Sequence, residues 1–262
     1  MAHAIEATAE SSIRSLVTRI AAGLIAMLVL VGLGSAPALI AGFTDRSDVH
    51  AFHGVEWGTL AGVLFGGSLL IVAVSADHSQ AAVRAALAIG VTFLVVAVLA
   101  RVVGPDTLSP LVLATVVALL GGLPLLAGNW RPRSLPLALM SLAAFVAGVI
   151  NAAVEIGFQL DRVDVHSAEL HYAGSAVVLL AIPIVAYIVA TLPDGYRPVT
   201  WLVGSAATLL GLGSLLIQRT GAFAALPAVL MIVWGVAFVA IAHSVHTNAA
   251  AAAAGWGESH NA

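Results

Sequence analysis

Eight long apolar stretches constrain this chain more than any other feature of its sequence. Each is close to the roughly 20 apolar residues that an α-helix needs to cross a bilayer. The segments between them, such as "SADHSQ", "GPDTLSP" and "LPDGYRP", are typical of turns and helix ends. The predicted spans cover residues 20–43, 53–74, 83–103, 108–127, 135–158, 171–191, 199–217 and 223–242.

The composition agrees with a membrane location. Of the 262 residues, 61% are hydrophobic and 9% are charged, whereas a soluble domain has about 25% charged residues. The sequence therefore predicts an all-α polytopic membrane protein whose partner is the lipid bilayer and not a nucleic acid. The absence of cysteine excludes thiolate metal sites, and the absence of lysine excludes a retinal Schiff base.

The arginines predict the orientation in the cell membrane, because cytoplasmic loops carry an excess of basic residues. Both termini are expected to be cytoplasmic, with a tail over residues 1–19 and a disordered tail over 249–262. The inner segments then hold Arg14, Arg19, Arg84, Arg131, Arg133 and Arg197. The outer segments hold Arg46, Arg101, Arg162 and Arg219.

A charged hexapeptide occurs twice, each time directly after an apolar stretch. "DRSDVH" begins at Asp45 and "DRVDVH" begins at Asp161, after the first and fifth stretches. A second four-span half that repeats the first explains this placement. Four is an even number, so the two halves, residues 20–128 and 129–248, are predicted to be parallel four-helix repeats related by an axis along the membrane normal.

Histidines and glutamates cluster around both hexapeptides, near the predicted outer surface. His50, His53 and Glu56 follow one another at spacings of three, which places them on one face of a helix. His166 and His171 follow in the second half. Imidazole is a common ligand of haem iron, copper and zinc. The alternative is structural: Asp–Arg ion pairs at the membrane surface and helix capping by Asp48 or Asp164.

One carboxylate is predicted to lie within the membrane. Asn151, Glu155 and Gln159 are spaced by four in the fifth span, so they form a polar stripe. A carboxylate is expensive in a bilayer, which makes Glu155 a candidate catalytic or proton-transfer residue. It is expected to face the bundle interior, with Asn151 or a residue of another span as partner.

Two fused four-helix halves, with histidines opening the second and sixth spans beside acidic outer loops, resemble membrane haem proteins of the haem A synthase type. The resemblance covers the topology of the whole chain. It carries over His53 or His50 and His171 or His166 as haem ligands. The openings of spans four and eight, "TLSPLVLA" and "GAFAALPAV", hold no histidine, so a bis-His site has to join the two halves.

The sequence therefore predicts an integral membrane redox protein that binds haem or a transition metal through outer-face histidines. A quinone or another small lipophilic molecule is a candidate partner. Two alternatives stay open, a proton-coupled transporter or permease and a non-catalytic accessory subunit. The metal ligands are expected to be His50, His53, His166 and His171, and the groups that neutralise haem propionates or quinone oxygens are expected to be Arg46, Arg101, Arg162 and Arg219.

Overall fold

A computed structural model describes residues 2–45, 50–76, 79–103, 109–123, 130–161, 167, 170–217 and 222–259, with side chains from residue 12 to residue 247. This part of the chain is helical and contains no strand. The α-helices are α1 (Ala2–Met27), α2 (Ser35–Thr44), α3 (Ala51–Trp57), α4 (Gly67–Ser75), α5 (Gln80–Val102), α6 (Pro110–Gly121), α7 (Leu135–Asp161), α8 (His171–Ala190), α9 (Tyr196–Ile217) and α10 (Ala225–Ser259). Two π-helical segments, Leu28–Gly32 and Gly58–Gly66, continue α1 and α3.

Among the described residues, seven helical stretches are long and apolar enough to cross a membrane, so this is an integral membrane protein. They coincide with seven of the eight predicted spans. The remaining predicted span, 108–127, contains α6, which has only 12 described helical residues. At the chain ends, α1 begins at Ala2 and α10 runs through Ser259, so helix extends into both segments predicted as tails.

The first span bends near its middle. Its α-helix gives way to the π-helical segment Leu28–Gly32, and Gly34 then adopts a left-handed conformation with φ 68° before α2 begins. Glycine reaches this conformation without the steric penalty of a Cβ. The Ser35 hydroxyl donates a hydrogen bond of 2.8 Å to the Val29 carbonyl, one of the groups near the bend. The bend directs α2 along α3.

Helix α8 lies at the centre of the bundle. Seventeen of the twenty residues of α8 are buried, and α8 packs against α7, α5, α9 and α3. By contrast, one side of α7 is exposed along its whole length, through a regularly spaced row of large apolar residues. The row consists of Leu135, Leu139, Leu142, Val146, Ile150, Val154 and Phe158. Such a row is suited to contact with lipid chains.

Candidate functional site

Three imidazoles from two helices meet at one end of the bundle. His50 and His53 stand at the start of α3, and His171 is the first residue of α8. The ring centres of His53 and His171 are 4.8 Å apart, and those of His50 and His171 are 5.2 Å apart. The structure thus brings together three of the four predicted ligands, from both predicted halves.

Glu56 joins the two helices behind these rings. Its Oε2 accepts a hydrogen bond of 2.8 Å from His53 Nδ1 and one of 2.7 Å from the Ser175 hydroxyl on α8. All three side chains are buried, with exposed fractions of 7% for His53, 4% for Glu56 and 2% for Ser175. A carboxylate at Nδ1 fixes the histidine tautomer, so Nε2 of His53 becomes the nitrogen suited to bind a ligand.

Close packing of glycines against α2 sets the orientation of α3. A Cβ added to Gly54 would lie 2.8 Å from the Ala38 carbonyl oxygen, and one added to Gly58 would lie 2.8 Å from that of Ser35. Trp57 also anchors this helix through a hydrogen bond of 3.3 Å from Nε1 to the Leu33 carbonyl at the bend. With the glycine face against α2, His53 and Glu56 are presented to α8.

Gln159, near the end of α7, holds the start of α8. Its Oε1 accepts a hydrogen bond of 3.1 Å from the backbone N–H of Ala173, and its Nε2 donates one of 2.6 Å to the Ser167 carbonyl. The first N–H groups of a helix have no acceptor within the helix, so Gln159 caps α8 from outside. Leu170, just before α8, has a left-handed backbone with φ 62° and no side-chain cap. Gln159 therefore fixes the turn that presents His171.

A cavity of about 630 Å³ opens beside the imidazoles. Its walls are largely apolar and come from α2, α3, the following π-helical segment, α5 and α8. The polar groups His50, His53, Glu56, His171 and Ser175 line one part of it. An apolar cleft with a few convergent polar groups is the usual form of a small-molecule site.

The predicted stripe in the fifth span is only partly formed. Glu155 and Gln159 are buried, as expected for groups that face the interior, whereas Asn151 is exposed. Asn151 donates to the Ala147 carbonyl of its own helix, so of the two expected kinds of partner for Glu155, Asn151 is not supported. Within the described part of the chain, Glu155 Oε2 has no hydrogen-bond partner. Glu155 is close enough to Glu56 for the two carboxyl groups to interact electrostatically, but it does not line the cavity.

The other predicted site residues lie apart from this cluster or outside the described residues. Arg101 is exposed in the last turn of α5 and does not line the cavity. His166, Arg46, Arg162 and Arg219 fall outside the described residues. At the opposite end of the bundle, Arg197 contacts His246 Nδ1 at 2.6 Å, which gives that histidine a surface role.

The spacing of the rings tests which cofactor the cluster can accept. Imidazoles on opposite faces of one haem, with iron–nitrogen bonds of about 2 Å, have ring centres about 6 Å apart. The 4.8 Å between His53 and His171 leaves no room for a porphyrin between them, so the predicted bis-His haem across the halves does not fit. Rings on a single ion lie about 5 Å apart, which agrees with both measured spacings. Among the described residues, however, no three His, Asp or Glu side chains are arranged to hold a metal ion.

Three residues of this site were not among the predicted site residues: Glu56, Ser175 and Gln159. The spacing of three between His53 and Glu56 already placed both on one helix face. Ser175 follows Thr59 by the same number of residues that separates the two hexapeptides, but the sequence carries no signal of its contact with Glu56. Comparison of the chain with protein-family models, curated proteins and solved structures finds no match.

Proposed function

We propose that this chain is a redox protein of the membrane that binds a transition-metal ion through some of the outer-face histidines His50, His53, His166 and His171, or haem with one of them as axial ligand. The observation that supports this most is the meeting of three imidazoles from two helices, with ring centres 4.8 and 5.2 Å apart. His166 lies five residues before His171 in sequence and is proposed as a further ligand. A bound metal or haem would supply one-electron chemistry.

The carboxylate behind His53 supports this proposal independently of the ring spacing. Metal-binding histidines commonly donate their second ring nitrogen to a carboxylate, which orients the ring and raises its basicity. Glu56 accepts from His53 Nδ1 at 2.8 Å, and Ser175 holds Glu56 in turn. Arg46, Arg101, Arg162 and Arg219 remain the proposed partners of anionic haem propionates or quinone oxygens at the same face.

We also propose that the fold is a pair of parallel four-helix repeats with eight spans, α6 belonging to the fourth, as in the haem A synthase type. Helix contacts support this, because they occur in equivalent pairs. The central helix α8 of the second half packs on α5, the third span of the first half. In the same way, α3 and the π-helical segment Gly58–Gly66 of the first half pack on α9, the third span of the second half.

The arginine distribution gives the proposed orientation in the cell membrane, with both termini cytoplasmic and the imidazoles at the outer face. We expect a reporter fused after Ala262 to be active only as its cytoplasmic form, because eight spans return the chain to the starting side. Paired fusions of an enzyme active inside and one active outside measure this directly. A signal from the outside reporter would contradict the proposal, because it requires either an odd number of spans or the reverse orientation.

The metal or haem proposal is tested by cofactor content. We expect the purified wild-type protein to carry a transition metal or haem, measured by elemental analysis and by visible absorption. His53→Ala and His171→Ala should each lower the content at least tenfold, because each removes a ligand and leaves an incomplete set. His243→Ala is the matched control, since His243 is exposed on α10 just after the eighth predicted span, at the opposite end of the bundle.

The two histidine variants have to be compared with the control at equal folded yield. Cofactor lost in His53→Ala and His171→Ala but kept in His243→Ala supports a shared site. Equal content in all four proteins, or no cofactor in any of them after expression with added metals and haem precursor, contradicts it.

Buried carboxylates favour a second candidate function, proton-coupled transport. Glu56 and Glu155 are both buried and within electrostatic range of each other. Carboxylates within membrane spans commonly mark proton pathways. In this case Glu155→Gln should abolish proton movement across reconstituted vesicles, measured with an enclosed pH-sensitive dye. Asn151→Gln, on the exposed side of the same helix, should leave it unchanged.

A further inference from the structure

The cavity beside the imidazoles has more space and more apolar surface than a metal ion needs. Its volume is about 630 Å³. Two aromatic side chains, Trp57 and Phe93, lie on its wall with ring centres 6.4 Å apart and planes inclined by 52°. Leu60, Val96 and Val177 extend the apolar surface. Such walls fit a flat, lipophilic ring better than a hydrated ion or a polar metabolite.

At the polar part of the cavity, Glu56 has an unused acceptor. Its Oε2 receives the hydrogen bonds of His53 and Ser175, whereas Oε1 is buried and, within the described part of the chain, has no hydrogen-bond partner. Leaving a buried carboxylate oxygen without a donor is energetically costly, because the oxygen has given up its hydrogen bonds to water. A ligand in this cavity that carries a hydroxyl group would satisfy the oxygen, and a ligand without a donor would not.

A glycine keeps the α8 side of the cavity open. Gly174 lines it, and a Cβ added there would meet no atom within 4 Å. Gly58, which precedes Gly174 by the same number of residues that separates the two hexapeptides, is packed tightly against Leu39 and the Ser35 carbonyl. The two glycines therefore differ in use: Gly58 allows two helices to approach each other, while Gly174 leaves space that no part of the described protein fills.

We propose that this cavity binds a small lipophilic molecule with a hydroxyl on an aromatic ring, of the quinol class, whose hydroxyl donates to Glu56 Oε1 and whose ring lies against Trp57 and Phe93. As a partner for a redox site, this ligand rests on the proposed function, which would place a metal or haem beside the cavity. Binding itself depends only on the cavity and on Glu56, so it can be tested separately.

The test measures binding of a short-chain benzoquinol, kept reduced, to the full-length protein purified in detergent. Saturable quenching of tryptophan fluorescence and a rise in the unfolding midpoint report binding. The same ring with both hydroxyls methylated has similar size and lipophilicity but no donor. We expect the quinol to bind at least tenfold more tightly than its dimethyl ether, because hydrogen bonds to a charged acceptor contribute about 1.5–3 kcal/mol.

Two glycine variants separate filling of the cavity from a general effect of a larger residue. Gly174→Leu places a side chain in the cavity and should abolish quinol binding. Gly90→Leu makes the same change at an exposed position of α5, where an added Cβ also meets no atom within 4 Å, and should bind quinol as the wild type does. Both changes raise helix propensity equally, and midpoints without ligand check the folding of each.

Glu56→Gln provides a second variant, because it keeps the size of the side chain and removes its charge. We expect this variant to lose most of the preference for the quinol over the ether. Equal affinity for quinol and ether, undiminished binding by Gly174→Leu, or no binding to the wild type would each overturn the proposal. Quinol binding with this pattern in a protein that holds no metal or haem would uphold the cavity site and contradict the redox function. A protein that holds a metal or haem but does not bind quinol would uphold the redox function and contradict the cavity site.

Discussion

Replacing Gly204 with leucine is expected to lower the unfolding midpoint of the purified protein by about 10 °C, because it forces apart the two last helices, α9 and α10. A Cβ at Gly204 would lie 2.8 Å from the Gly235 carbonyl oxygen, and one at Gly235 would lie 2.6 Å from that of Gly204. Overpacking typically costs 1–3 kcal/mol. Because the obstacle here is backbone, the cost is expected at the upper end, about 3 kcal/mol, which corresponds to roughly 6–12 °C in a chain of this size.

The control for this variant is again Gly90→Leu, which should leave the midpoint within a degree or two of the wild type. Combining Gly204→Leu with Val239→Ala removes a side chain that also touches the new leucine, but it should recover little stability because the Gly235 carbonyl remains in place. If Gly204→Leu melts like Gly90→Leu, α9 and α10 do not pack at this distance.

The positions of the spans could be predicted from the sequence because crossing a bilayer requires long apolar runs, which are visible in one dimension. Seven predicted spans correspond to helices that are long enough to cross. The bend in the first span could not be predicted in the same way. Gly32 and Gly34 interrupt an otherwise continuous apolar run, but glycine is common in membrane helices, and its presence alone does not identify a bend.

The grouping of the histidines could be predicted in part. Their positions shortly after the two hexapeptides predicted that His53 and His171 lie at a similar depth, and the structure adds that their rings are adjacent. The distance between them depends on how α3 packs against α8 and α9, through contacts between residues far apart in sequence, such as Gly213 with Val55. For this reason, the sequence could not predict whether the rings of His53 and His171 are far enough apart to hold a porphyrin between them or as close as the structure shows.

The stripe of Asn151, Glu155 and Gln159 shows the limit of periodicity. A spacing of four places three residues near one face, but it advances by 40° with each step, so the ends of the stripe diverge. Across the eight residues from Asn151 to Gln159 the difference is large enough to turn Asn151 outward while Gln159 stays inside. The roles of the three residues therefore follow from their neighbours in space and not from their shared spacing.

Gln159→Leu tests the difference between the buried Gln159 and the exposed Asn151. It is expected to be the second strongly destabilising change. The substitution removes the acceptor for the Ala173 N–H and the donor to the Ser167 carbonyl. A buried donor or acceptor left without its partner costs about 1–3 kcal/mol, so two together should cost about 3 kcal/mol and lower the midpoint by about 10 °C. Thermal unfolding followed by circular dichroism measures this effect.

Asn151→Leu, eight residues earlier on the same helix, is the matched control. Asn151 is exposed on the outer side of α7 and bonds only to the Ala147 carbonyl of its own helix among the described contacts. Its replacement takes an amide out of a lipid-facing position, so the midpoint should stay constant or rise. Similar losses in both variants would show that the amides contribute through the helix itself. A loss confined to Gln159→Leu would show that this side chain stabilises the start of α8, on which the position of His171 depends.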